Sequence, residues 1–186
     1  MEFRLFYRGP LKPNGNVEQK HNIRGCFHKQ LLELWQQRPL CDHREFLEFP
    51  AKPGGISIVR TVGQYRFASL VTKCLDTTAA LDILFLRPEA PGSLITAGGD
   101  IDNRIKTLLD AMRMPQEPKE IPQGAQPPAE GVFFCVLEND SLVTSLSVTT
   151  DRWLVPSVSV DKSDVILVIR VTVKPTKVVI ATLGLF

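Results

Sequence analysis

Residues 98–115, GGDIDNRIKTLLDAMRMP, constrain the fold of this chain more than any other stretch. On a wheel of about 3.6 residues per turn, Ile101, Ile105, Leu108, Leu109 and Met112 share one face. Asp102, Lys106, Asp110 and Arg113 gather on the other. The spacing therefore predicts an amphipathic helix, packed through its apolar stripe, with Asp100 at the N-cap and a Gly-Gly turn ahead of it. A helix start has free backbone N–H groups and a positive dipole end, so two carboxylates, an amide and a lysine there outline a metal and phosphate site.

The other segments supply strands. Residues 2–8 alternate as a strand, and Gly9, Pro10, Pro13, Asn14 and Gly15 end it with turn chemistry. Ile23, Phe27, Leu31, Leu34 and Trp35 recur at helical spacing across residues 18–37, and Pro39 closes that helix. Residues 56–62 form a short β-like run after Pro50, Pro53, Gly54 and Gly55. Residues 77–87, TTAALDILFLR, read as a buried strand that Pro88, Pro91 and Gly92 stop. The segment PQEPKEIPQGAQPPAEG at 115–131 is too poor in apolar residues to build a core, and is expected to be an exposed, flexible insertion. Strands follow at 132–137, 142–150, 165–174 and 178–183, with a turn at Glu138-Asn139-Asp140. The pattern predicts one α+β domain over residues 1–186, a mixed β-sheet with helices packed on one face.

Composition limits the function classes. With 44% hydrophobic residues the chain can bury a core. No apolar run is long enough for a membrane span and the first residues lack a secretory h-region, so a cytoplasmic protein without membrane partners is expected. Residues 1–74 carry 12 basic against 6 acidic side chains, and residues 75–186 carry 10 against 14. That asymmetry suits an acidic cation site beside a basic surface for phosphates. The cysteines at 26, 41, 74 and 135 are scattered and are expected to be free thiols. Cys26, His28, Cys41 and His43, with His21, lack the pair spacing of a structural zinc site. An EF-hand fails because Arg104 and Ile105 stand where an oxygen ligand and a glycine are required. No Walker loop, nucleophile elbow or dinucleotide fingerprint is present, so no nucleotide cofactor is expected.

Three carboxylates with a nearby lysine are what divalent-cation phosphodiester hydrolysis requires, because hard oxygen ligands hold Mg²⁺ and the transition state gathers negative charge. Asp100, Asp102, Asp140 and Lys106 are the candidates. They can meet only if the acidic turn folds back onto the start of the central helix.

At these residues the chain resembles the RusA-type Holliday junction resolvases, in which an Asp-x-Asp-Asn pair opens a helix and is followed by Lys and Asp. Asp100, Asp102, Asn103, Lys106 and Asp110 carry that resemblance. Glu138-Asn139-Asp140, before a strand, is similar to the family's later acidic pair, and residues 9–14 are similar to its Pro-rich loop ending in Asn. The resemblance implies a RusA-like fold and a homodimeric endonuclease that cuts four-way DNA junctions with Mg²⁺, for which Mn²⁺ would substitute. A bacterial or phage setting comes with it. Asp100, Asp102 and Asp140 would hold the metal, Lys106 would face the scissile phosphate, and Asn103, Asp110 and Glu138 would support them. By charge, Lys12, Asn14, Lys20, Arg24, Lys29 and Arg104 are candidates for DNA contact. Phe3, Phe6, Tyr7 and Phe67 could stack on bases, although such aromatics are more often core. The rival expectation is a RusA-like module that binds branched DNA or a protein partner without cutting.

Overall fold

The computed structural model describes residues 1–88, 101–154, 161–177 and 184–185. The first strand, β1, is Glu2–Pro10, in which Phe3, Leu5 and Tyr7 point into the core while Glu2, Arg4 and Phe6 face out. This is the period-2 alternation of a sheet with one buried face. Helix α1 is Val17–Leu34. Asn16 caps it by accepting the Gln19 N–H at 2.9 Å, and Ile23, Phe27 and Leu31 bury one stripe. It ends three residues short of the expected residue 37, because the Gln36 and Gln37 amides turn to carbonyls three residues back.

Strands β2, Val59–Val62, and β3, Tyr65–Val71, form a hairpin, with register Val59 to Ala68 and Val62 to Tyr65. Strand β4, Thr77–Arg87, matches the expected segment residue for residue, and Ala79, Leu81, Ile83 and Phe85 are fully buried on its core face. Helix α2, Ile101–Met112, buries Ile105, Leu108 and Met112 and also Thr107 and Ala111. Strands β5, Phe133–Leu137, β6, Val143–Arg152, and β7, Asp164–Pro175, complete the described elements. The strand expected at 178–183 lies outside the described residues.

The α+β class holds, but the strands divide between two mixed sheets instead of one. One sheet has the order β1-β7-β4-β6 and the other β2-β3-β5. β1 and β4 are each antiparallel to β7, so they run in the same direction and end at the same edge of the molecule. The core lies between the four-stranded sheet and the helices, and draws Phe27, Trp35, Phe85, Leu108 and Leu167 into one cluster.

The 115–131 segment is not a free loop. It contains a short 3-10 turn, Pro118–Glu120, and Ile121 and Ala125 pack on a second cluster with Tyr65, Phe67 and Phe133. Gln64 donates to the Ala125 carbonyl at 2.8 Å, and Glu120 pairs with Arg113 at 2.9 Å. A few apolar contacts and polar ties anchor a segment whose average composition favours solvent.

Two histidines of α1 make folding sensitive to acid. His28 stacks on Phe133 at 4.5 Å between ring centroids, and its Nδ1 accepts the Phe134 N–H at 3.0 Å. Only a neutral ring can accept there. Burial pulls the pKa of His28 down, outweighing the opposite pull of Glu130, and burial also lowers that of His21. Above about pH 6.5 both rings are neutral whether the chain is folded or not. Below it the unfolded chain binds protons that the fold refuses, so stability falls with pH. Urea unfolding from pH 8 to 5 should show a declining free energy, and His28→Gln should flatten the decline. A curve that stays level through this window would remove the effect.

Candidate functional site

The loop after β1 and the start of α2 come together, although they are about ninety residues apart in sequence. The Gly15 N–H donates to Thr107 Oγ1 at 3.0 Å, and that hydroxyl donates on to the Asn103 carbonyl at 3.0 Å. A Cβ at Gly15 would lie 2.6 Å from the Thr107 methyl, so only glycine lets the loop approach the helix this closely. Around this clasp Lys12, Asn14, Asp102 and Lys106 are exposed, and Asn103 is half-buried. Asp102 Oδ1 accepts the Asn103 N–H at 3.1 Å. Asp100 lies outside the described residues.

Beside the clasp is an open cleft of about 890 Å³, lined by Arg8, Lys12, Asn14, Asn22, Asp161 and Asp164 among others. Bonds from the Ser163 amide and hydroxyl, with Lys12 nearby, hold the Asp161 carboxyl below its ordinary range. The cleft thus carries both charge signs and several amides. Arg8, Asn22, Asp161 and Asp164 were not legible as site residues from sequence. The one available signal was the Asp161-Lys162-Ser163-Asp164 turn pattern, which places polar side chains ahead of a strand but does not say what lies opposite.

The acidic turn sits elsewhere. Arg113 bridges to Leu137, and the Met114 N–H donates to the Leu137 carbonyl at 2.9 Å, so the end of β5 lies against the C-terminal end of α2. Asp140 follows three residues later in a 3-10 turn, Asp140–Leu142, and β6 then starts beside Ala79, near the beginning of β4. Asp102 is eleven residues before Arg113, about 16 Å along the helix axis. It lies toward the edge where β1 and β4 finish. The expected fold-back of the acidic turn onto the helix start therefore does not occur within one chain. Strand direction decides this: β6 runs parallel to β4, so the turn before it belongs to the edge where β4 begins. Among the described residues, no three Asp, Glu, His or Cys side chains are placed to share a metal ion. Of the expected three carboxylates, Asp102 and Asp140 are the two among the described residues, and they lie toward opposite ends of α2.

Several supporting residues have structural work instead. Glu138 Oε2 accepts from Thr72 Oγ1 at 2.5 Å and from the Lys73 N–H at 2.8 Å, fastening β5 to the turn after β3. Asp110 does not orient Lys106. Its carboxylate takes Lys20 at 2.7 Å and Arg113 at 3.4 Å, tying α2 to α1.

The basic candidates sort by burial. Arg24 is 2% exposed and donates from Nε to the Arg113 carbonyl at 3.0 Å and from Nη2 to the Asp110 carbonyl at 2.9 Å. It satisfies carbonyls in the last turn of α2 and just beyond it from inside the protein, so it does not track phosphates. Arg104 is 3% exposed, so it too is not a surface contact for phosphates. Lys20 is committed to Asp110, whereas Lys12, Asn14 and Lys29 remain at the surface. Of the aromatics, Phe3, Tyr7 and Phe67 are core and Phe6 is half-exposed.

All four cysteines are free thiols, and burial raises that of Cys135 to about 12, which keeps it protonated. Among the described residues, no helix is long and apolar enough to cross a membrane. Comparison of the chain with family models, curated proteins and solved structures finds no match.

Proposed function

We propose that this chain is a structure-selective DNA endonuclease of the RusA kind, acting on branched DNA with Mg²⁺ or Mn²⁺ as a homodimer. The observation that carries the reading is the Gly15–Thr107 clasp, because it joins two of the motif segments, the Pro-rich loop and the Asp-x-Asp-Asn helix start, at one edge. A phosphate approaching that edge meets the Lys106 ammonium, the positive end of the α2 dipole and Lys12 within one patch. Asn103 adds an amide to hold the phosphate in place.

Asp140 lies toward the C-terminal end of α2, away from this patch, so the reading requires the acidic turn of a second copy. An isologous dimer sets helix start against acidic turn twice, once on each side of its two-fold, and gives two equivalent sites for two strands. The same separation favours a second reading, a DNA-binding module that does not cut. A synthetic four-way junction distinguishes the two. The endonuclease reading expects Mg²⁺-dependent paired nicks that Lys106→Ala slows at least about 100-fold while junction binding persists. Binding without nicks by the unmodified protein would establish the module instead.

A further inference from the structure

The two edges of the four-stranded sheet are treated differently. At β1 the Gln30 side chain takes the place of a neighbouring strand: its Oε1 accepts the Phe6 N–H at 2.9 Å and its Nε2 donates to the Phe6 carbonyl at 2.8 Å. Glu2, Arg4 and Arg8 add charge along that strand. Among the described residues, β6, the opposite edge, has none of these guards. Among the described residues its only strand neighbour is β4. Its first eight residues, VTSLSVTT, hold no charge, proline or glycine, and are mostly the β-branched types that pair readily. Soluble proteins seldom leave so long an edge uncovered, and among the described residues nothing pairs with this one.

We propose that β6 pairs antiparallel with β6 of a second copy, joining the two four-stranded sheets into one of eight strands; this rests on the homodimer reading above. Two features make the edge self-complementary. Leu146 is 43% exposed although it shares the core face with Leu81 and Ile83, so a partner strand completes the burial that its own chain leaves open. Charge lies only at the ends: Asp140 precedes β6 and Arg152 closes it, and antiparallel pairing runs the Arg152 end of each copy toward the Asp140 end of the other. Asp151, the one acid beside Arg152, turns its carboxylate back onto the Arg152 N–H at 2.6 Å. A two-fold normal to the sheet also leaves both α2 helices on one face and antiparallel. Each helix start then points toward the acidic turn of the other copy.

Sedimentation equilibrium of the full chain tests this. The unmodified protein should be a dimer at micromolar concentration. Leu146→Lys and Thr149→Lys should each weaken the dimer at least about 100-fold, by placing like charges beside the two-fold. Circular dichroism should show the fold unchanged. Gln30→Ala, at the guarded edge, should leave association as it was. Should the lysine variants fail to fold, hydrogen exchange on the unmodified chain decides: amides of 143–152 should lose protection on dilution through the dimer midpoint. A monomer, a dimer indifferent to the lysines, or β6 protection independent of concentration would each overturn the pairing. A junction-cutting dimer indifferent to the lysines would sink the edge pairing and spare the endonuclease reading, whereas a β6 dimer that bound no junction would do the reverse.

Discussion

Chains carrying Asp102→Asn and chains carrying Asp140→Asn, each inactive alone, should recover junction nicking when mixed and allowed to exchange subunits. Asp102 sits at the start of α2, about 16 Å of helix axis from Arg113, beside which the strand leading to Asp140 ends. If a site draws Asp102 from one copy and Asp140 from the other, a mixed dimer has one site with both acids lost and one with both intact. Random exchange makes half of the dimers mixed, so about a quarter of all sites should be restored. Each variant alone should be slowed by about 1000-fold, since every site then lacks one acid. Paired cuts should stay rare in the mixture, because a mixed dimer has a single working site. If both acids served within one chain, no arrangement of subunits would restore an intact site, and the mixture would stay as inactive as its parts.

Arg24→Ala should be among the most destabilising single changes in the molecule. The guanidinium leaves α1, crosses the core and closes carbonyls in the last turn of α2 and just beyond it, at 3.0 and 2.9 Å. Truncation removes two charge-assisted hydrogen bonds, strands both carbonyls away from water and opens a void the size of an arginine stem. The combined cost is about 3 kcal/mol. Lysine should rescue little, because one ammonium cannot span two carbonyls as the planar fork does. Urea denaturation with matched slopes reads the effect. A midpoint equal to that of the unmodified chain would return Arg24 to the surface role its charge suggests.

Local rules decide several elements of this fold. β4 follows from its apolar run and the prolines and glycine that stop it, and α2 follows from the spacing of Ile105, Leu108 and Met112. The capped start of α1 departs by one residue. Each is a period or a terminus signal confined to a dozen neighbours. Local rules miss the 115–131 segment because Ile121 and Ala125, only two apolar anchors, are enough to dock it once a partner surface exists. They miss Arg24, Lys20 and Asp110 because charge alone does not tell a surface contact from a buried tie.

The amino-acid sequence by itself determined the α+β class, the amphipathic α2 and the chemistry gathered at its start, because these depend on side-chain type and spacing along one short element. Tertiary structure alone decided which edge each motif occupies. The direction of β6 beside β4 sends Asp140 to one edge, and the Gly15–Thr107 clasp brings Lys12 and Asn14 to the other. Strand order and direction are settled by long-range pairing between residues far apart in the chain, and no local pattern encodes them.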